Sequence, residues 1–318
     1  MPTPTAASTM RAARVHAFGP PEAITIERLP LPSPGEGEVL VRVAAAGVGP
    51  WDGWIRAGRS VLPQPLPLTL GSDLSGTVAA VGPGVAGLGP GQEVHGVTNV
   101  RFTGACADYA LAEAGRIAPK PATLDHLQAA SVPVIAVTAW QMLFDHARVG
   151  EGRRVLIHGG AGNVGAFAVQ LARHAGAHVI ATASAADIGY VRELGADEAV
   201  DFRATRFEAA VGEVDAVIDL VGGETQERSL AVLKRGGVLV SAVERPDQAR
   251  AAERGVRALF MLVDVTTAAL AAIGGLLAAG RLRAQVGEIL PLDQAVLAHR
   301  MLEGMPHKPG KIVLRVAT

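Results

Sequence analysis

The run from Arg153 to Gly165, Arg-Arg-Val-Leu-Ile-His-Gly-Gly-Ala-Gly-Asn-Val-Gly, constrains the fold of this chain more than any other. Val155, Leu156 and Ile157 form a short apolar run of the kind that makes a buried strand. Gly160, Gly162 and Gly165 follow at the G-x-G-x-x-G spacing, with Asn163 and Val164 inside it. From Ala166 to Arg173 apolar residues then recur on one helical face. A strand–turn–helix that cradles a dinucleotide needs each of these parts. One glycine turns the chain sharply, the next lets a pyrophosphate approach the backbone, and the third lets helix and strand pack closely. The helix start supplies N–H groups and a partial positive charge. With 38 glycines in the chain the spacing alone means little, but strand, turn and helix come in the required order. A nucleotide site is expected at Gly160, Gly162, Asn163, Val164 and Gly165; the alternative is a plain strand–helix connection.

At 318 residues the chain is long enough for two domains with a sizeable core. Hydrophobic residues make up 49% but aromatic ones only 4%, so that core is built from Ala, Val, Leu and Ile. The net charge of −1 gives no electrostatic case for nucleic acid or an anionic membrane as partner. Cys106 is the only cysteine, which excludes an intrachain disulfide and a cysteine-rich zinc site. Residues 1–10 lack the basic and apolar regions of a secretory signal and are expected to be a disordered extension. The most apolar late stretch, Ala268 to Gly280, is too short and glycine-broken to span a bilayer. A soluble, cytoplasmic protein is expected.

Residues 1–125 alternate short β-type runs with Gly/Pro turns. The runs are Arg14–Phe18, Ile24–Glu27, Glu38–Ala44, Gly71–Val81, Gln92–His95 and Ala107–Ala112. They predict a small, distorted β-barrel. Leu124–Ser131 and Val134–Val149 have helical period. Strands at 155–157, 178–182, 198–201, 216–221 and 237–242 then alternate with helices at 164–175, 187–195 and 224–235. That alternation predicts a parallel sheet with right-handed crossovers, an α/β nucleotide domain over 126–265. Residues 266–318 carry helices over 264–282 and 292–304 and strands near 288–290 and 311–316, and return to the composition of the first region. The expectation is one domain made from both chain ends with the nucleotide domain inserted between them.

Several motifs together resemble one family. They are Pro34–Val43, Ala46–Gly58 (Ala-Gly-Val-Gly-Pro-Trp-Asp-Gly-Trp-Ile-Arg-Ala-Gly), Gly71–Gly76, Gly104–Tyr109, Thr138–Trp140, the 159–165 turn, Leu194–Asp197 and Gly310–Leu314. In this order they resemble the medium-chain dehydrogenases/reductases, specifically the zinc-independent, zeta-crystallin-like quinone oxidoreductases. The resemblance runs over nearly everything after about residue 11. It implies a GroES-like catalytic domain and a Rossmann domain, with cofactor and substrate in a cleft between them. Zinc-using members carry Cys and His where this chain has Ala46–Asp52 and Gly71-Ser-Asp73, and the residues here assemble no tetrahedral donor set. His95 and His158 are read as structural.

An acid at the end of the second Rossmann strand would hold the 2′-hydroxyl of NAD; its absence admits a 2′-phosphate. Ala183 stands there, and Ser184 resembles the phosphate ligand of NADPH-using relatives, with Arg203 in reach from the third strand. Against this, Asp187 and Ile188 replace the usual Lys, although Asp187 also suits a helix N-cap. NADPH is therefore the expected cofactor. By resemblance, Thr138 meets the nicotinamide carboxamide, unless its hydroxyl is satisfied within its helix. Val221 and Gly222 lie where ribose and nicotinamide pass, and Ser241 ends the next strand in a similar place. Lys311 is near the active-site end of the returning segment, or is a solvated surface charge.

Without a metal, hydride transfer to a quinone or an activated enone is the expected reaction, with the protein supplying position, a dry cleft and at most one hydrogen-bond donor. Asp52, Trp54 and Tyr109 are the candidate catalytic residues. Asp52 and Arg56 resemble residues at a cleft mouth, or else pair with each other; Tyr109 is the donor candidate, or packs. Trp51 and Trp54 are expected to form a flat apolar wall for a large acceptor. Gly49 replaces the Asn common in relatives. Two other readings compete: an enoyl reductase of a polyketide-type intermediate, and a non-catalytic NADPH-binding protein. Relatives dimerise through the nucleotide-domain sheet, here around 255–265, so a homodimer is expected.

Overall fold

The computed structural model describes residues 9–317. By contact the chain forms two compact units. The first holds residues up to Val134 together with Val265–Ala278 and the segment from Ala284 onward; the second holds Ile135–Asp264 and Ala279–Arg283.

In the first unit β1 (Thr9–Val15), β2 (Thr25–Pro30) and β4 (Leu68–Thr69) form a three-stranded sheet. Thr9 and Met10 therefore belong to a strand rather than to a disordered extension, because Met10 is buried against Ala12 and Ala107. Residues 1–8 lie outside the described part of the chain. A larger sheet is organised on β3 (Glu38–Val48), which pairs with β5 (Asp73–Val81), β7 (Tyr109–Glu113) and β16 (Lys311–Arg315). From there it extends through β6 (Glu93–Val97) to β8 (Ile117–Pro119) on one side, and to β15 (Val286–Pro291) on the other. Val39, Val41 and Val43 alternate into the core, whereas Ala44–Val48 lie under α2 (His126–Ala130) and β16 and carry only small side chains or Val. The short helix α1 (Pro50–Arg56), for which the sequence offers no expectation, follows β3 directly, with Pro50 at its first position where its missing N–H costs nothing.

The second unit is a six-stranded sheet whose recorded pairs are all parallel. Its order is β11 (Glu198–Asp201), β10 (His178–Ala183), β9 (Arg154–Ile157), β12 (Val214–Asp219), β13 (Leu233–Ser241), β14 (Arg257–Phe260). Leu156, Ile180, Val217 and Leu239 are buried in its core. Strands covered on both faces read as continuous apolar runs, which is why Val155–Ile157 and Ala216–Ile218 contain no alternation. Each such fully buried Leu or Ile stabilises the fold by ~1.5–3 kcal/mol.

The helices are α3 (Pro133–Trp140), α4 (Asn163–His174), α5 (Ile188–Glu193), α6 (Phe207–Ala210), α7 (Gly223–Ser229) and α8 (Gln248–Glu253), with α9 (Thr267–Ala278) and α10 (Ala295–Leu302) beyond the sheet. Two differ from the periodic reading. The helix expected over Val134–Val149 widens to π geometry at Gln141–His146, where Gln141 exchanges two hydrogen bonds with the Asp264 backbone. The helix expected over 224–235 stops at Ser229, because Leu233 already pairs with Val214 in the sheet.

Candidate functional site

The carboxyl ends of β9 and β12 are adjacent, and strand order reverses there, which is where parallel sheets bind ligands. The glycine turn leaves β9 at this point. Gly162 caps α4 with no side chain over the first-turn N–H groups of Asn163, Val164 and Gly165. Gly165 is buried, and a Cβ there would collide with the Gly159 carbonyl oxygen; at Gly160 it would come 2.8 Å from Ala181 Cβ. The cradle therefore fits a pyrophosphate: the backbone is bare and the N–H groups are free of side-chain caps.

His158 holds the turn from beneath. Its Nδ1 lies 3.1 Å from Thr182 Oγ1 and its Nε2 2.9 Å from Ser229 Oγ, and Gly159 N–H donates to Thr182 Oγ1 at 3.2 Å. Burial lowers its pKa to about 4, so the ring is neutral and serves as a strut.

Asp219, which the sequence reading did not single out, organises the neighbouring loop. Its Oδ1 accepts from the N–H of Val221 at 3.1 Å and Gly222 at 2.9 Å. Its Oδ2 accepts from Gln226 Nε2 at 2.9 Å and Ser241 Oγ at 2.8 Å. Ser241, fully buried, thus donates to Asp219, and its Oγ also accepts from the N–H groups of Val243 at 3.3 Å and Glu244 at 3.2 Å. Val221 projects outward, 54% exposed. An Asp closing an apolar strand was the available signal, but its four partners come from three separate segments.

Above the turn a cleft of about 520 Å³ is lined by Gly162, Ser184, Asp187, Arg203, Val221 and Arg228, among others. Four of these, Gly162, Ser184, Arg203 and Val221, are expected cofactor contacts, and the fold brings them together. Arg228 is neutralised by a two-pronged pair with Glu208, at 2.5 Å on each arm. Arg203 stacks on Phe202, 5.5 Å from its ring centre, and makes no ion pair among the described residues. Ser184 donates to Asp187 at 2.6 Å, and Asp187 makes no capping bond to α5. Asp187 thus stands at the N-cap position of α5, as expected, but its side chain bonds Ser184 rather than the helix. Thr138 is buried on α3.

The first unit has its own polar centre, and it corrects several expectations. Lys311 is fully buried rather than solvated: its Nζ is 2.8 Å from Asp73 Oδ2 and 4.1 Å from the Trp51 ring centre. Asp73 also accepts from Val134 N–H at 3.0 Å. Asp52 and Arg56 are each 1% exposed and neither line a mouth nor pair with each other. Asp52 accepts from Gly49 N–H at 2.7 Å, closing the start of α1, while its other oxygen has no protein partner. Loss of hydration raises its pKa to about 7, against the Gly49 bond and the Lys311 charge. Arg56 instead donates to the Gly19 carbonyl and pairs with Glu303.

Trp51 and Trp54 do not share one wall. Trp51 folds over Gly49 with its Nε1 donating to Ser72 Oγ at 3.1 Å, whereas Trp54 is 46% exposed. Tyr109 packs against Met10, Ala12 and Ala107. His95 is buried on β6, its pKa lowered to about 4 by desolvation. Among the described residues no three His, Cys, Asp or Glu side chains converge as metal ligands. Asp52, the one ionisable ligand type in 46–52, is already bound to Gly49.

Residues 35–122 match the alcohol dehydrogenase GroES-like domain model, and residues 194–314 match the zinc-binding dehydrogenase model. The quinone oxidoreductase of Rattus norvegicus is 31% identical over 323 residues, covering 96% of this chain and 97% of that protein. The spectinabilin polyketide synthase system protein NorB of Streptomyces orinoci is 39% identical over 292 residues; this is 87% of the chain but 13% of NorB. The solved quinone oxidoreductase of Coxiella burnetii matches with a TM-score of 0.89 and 35% identity, covering 98% of this chain and 100% of that one. Among the described residues no helix is long and apolar enough to cross a membrane.

Proposed function

The chain belongs to the quinone oxidoreductase family of medium-chain dehydrogenases/reductases, and we propose that it is a zinc-independent reductase that uses NADPH to reduce a quinone or an activated enone. The observation that carries this reading is the bare glycine cradle, opening on a cleft that holds Arg203 without an acid partner. NADPH, when bound, supplies the hydride.

The chain's own residues do the rest. Gly160, Gly162, Asn163, Val164 and Gly165 bind the pyrophosphate through backbone N–H groups and the start of α4. Arg203 and Ser184 face the adenosine ribose. Thr138 and the Val221–Gly222 loop orient the nicotinamide end, with Asp219 and Ser241 holding that loop in place. Quinones and enones accept hydride without a Lewis acid, because negative charge delocalises onto the acceptor's own oxygen. No donor set for zinc is therefore required, in keeping with the side chains around Asp52. Asp52 fixes the first turn of α1, and Trp54 offers an exposed indole on that helix for an aromatic acceptor. Tyr109 is not assigned a proton. A second copy of the chain pairs at β14, an edge strand of the six-stranded sheet, to make a homodimer.

The likeness to NorB supports a second reading, reduction of a polyketide-type enoyl intermediate. NADPH oxidation in the presence of a chelator, with quinones, 2-alkenones and a short enoyl thioester as acceptors, separates the readings. Turnover of quinones or alkenones is expected. Turnover of the thioester alone selects the enoyl reductase, and tight NADPH binding with no turnover selects a non-catalytic binding protein. Trp54→Ala is expected to slow large quinones about tenfold more than small alkenones, the loss of about 1.4 kcal/mol of selective contact; equal slowing removes Trp54 from the acceptor site.

A further inference from the structure

The cleft above the glycine turn contains one acid that neither the cofactor cradle nor the sheet requires. Asp187 lines it together with Ser184 and Arg203. Its Oδ2 accepts a hydrogen bond from the Ser184 hydroxyl at 2.6 Å, and no capping bond ties the carboxylate to the helix that begins beside it. It forms no ion pair among the described residues. The neighbouring cation that could neutralise it, Arg203, lies over the Phe202 ring instead. Arg228, the other cation of the cleft, is already matched by Glu208. Within the cleft, then, Ser184 has spent its donor, and a carboxylate stands beside it with acceptor capacity left over.

We propose that Asp187 is a specificity-determining residue that lowers the chain's preference for NADPH and keeps NADH usable. This rests on the reading that the cleft takes the adenosine half of the cofactor. A ribose 2′-hydroxyl is a donor and suits a carboxylate acceptor. A 2′-phosphate is an acceptor of nearly two negative charges; it meets like charge at Asp187 and a Ser184 hydroxyl already given away. Arg203 attracts the phosphate and Asp187 opposes it, so the balance between the two dinucleotides is set by residues on two different loops. An acid at the end of the second strand excludes a 2′-phosphate outright; one displaced four residues, onto the start of a helix, only discriminates.

The test is equilibrium binding of NADPH and NADH to the full chain by quenching of intrinsic fluorescence, at low and high salt. The proteins are the wild type, Asp187→Asn, Ser184→Ala and the double variant. Asn keeps a side-chain oxygen for Ser184 and removes the charge. Asp187→Asn is expected to raise the NADPH-over-NADH affinity ratio roughly tenfold, about 1.4 kcal/mol, and high salt is expected to shrink the gain. Ser184→Ala is expected to change NADPH affinity less than twofold in the wild type but several-fold in the Asp187→Asn background, where a neutral amide oxygen holds the hydroxyl less strongly than the carboxylate and a 2′-phosphate can compete for it. An affinity ratio unchanged within twofold in Asp187→Asn, with both dinucleotides still bound, overturns the proposal and leaves the cofactor site standing. Failure of the wild type and every variant to bind either dinucleotide, with cooperative unfolding intact, overturns both.

Discussion

Two buried aspartates, Asp73 in the first unit and Asp219 in the second, are stabilised in opposite ways. Asp73 faces a cation, Lys311, and the pair is closed off from water under Trp51. Asp219 has no cation among its hydrogen-bond partners; two backbone N–H groups, an amide and a hydroxyl surround it. The first arrangement joins β16 to the strand beyond β3 and makes a fixed strut. The second ties down a loop that has to present Val221 and Gly222 to a ligand while its own backbone stays ordered. Ion pairing holds strands together; neutral donors shape a loop.

Removing one member of each group is the strongest way to break this contrast. Lys311→Met leaves Asp73 without its cation in a dry site, and is expected to destabilise the protein by ~3–5 kcal/mol in urea unfolding. Adding Asp73→Asn to it is expected to recover much of that loss; no recovery would mean that Lys311 acts by packing on Trp51 rather than by pairing. Asp219→Ala strands four neutral donors rather than a charge, and the N–H of half-exposed Val221 can rehydrate, so a smaller loss of ~2–3 kcal/mol is expected. Its distinguishing effect is on nucleotide affinity, which is expected to fall at least tenfold by fluorescence titration, about 1.4 kcal/mol. Lys311→Met in the still-folded fraction is expected to leave that affinity within threefold. If Asp219→Ala destabilises without weakening nucleotide binding, the loop is not the ligand-facing element.

The smallest effect sharpens the comparison through pH. Asp52 lies next to the Asp73–Lys311 pair, and burial raises its pKa to about 7 from an ordinary 3.8. The folded chain therefore keeps this proton between about pH 4 and 7, where the unfolded chain has released it. With more protons on the folded state, unfolding free energy falls as pH rises through that window. The contribution is complete below the ordinary carboxylate range and lost above about pH 7. Asp52→Asn is expected to flatten this slope in urea unfolding from pH 5 to 8, and to be closer to neutral for stability at pH 5 than the charge removal at Lys311. A variant with the wild-type slope would place the titrating group elsewhere, Asp73 being the next acid whose pKa burial raises.

The fold was largely legible from local signals. Val155–Ile157 with the glycines after it announced β9, the turn and α4, because a strand, a bare turn and a helix start each leave their mark within a dozen residues. The strand at 198–201 was read to its ends. What misled was periodicity without context. The helix expected past Ser229 gave way when Leu233 found Val214, a partner 19 residues earlier whose pairing no helical pattern encodes. Pro50–Arg56 went unread as a helix because a single turn and a half offers too short a repeat.

Side-chain roles divided along the same line. The glycines could be assigned from sequence because their function is to be small at a set point of the backbone, and that requirement is local. Lys311 looked equally suited to the surface, and only the tertiary structure puts it beside Asp73, 238 positions away, with both fully buried. Asp52 and Arg56, one helical turn apart, invited pairing, yet packing turned one to Gly49 and the other to Gly19 and Glu303. Sequence determined where the chain can turn and which stretches must be buried. Which charges meet, and which acid is left facing the cleft, was decided by tertiary packing, because a charged group's partner is whichever group the fold brings within about 3 Å after water has been removed.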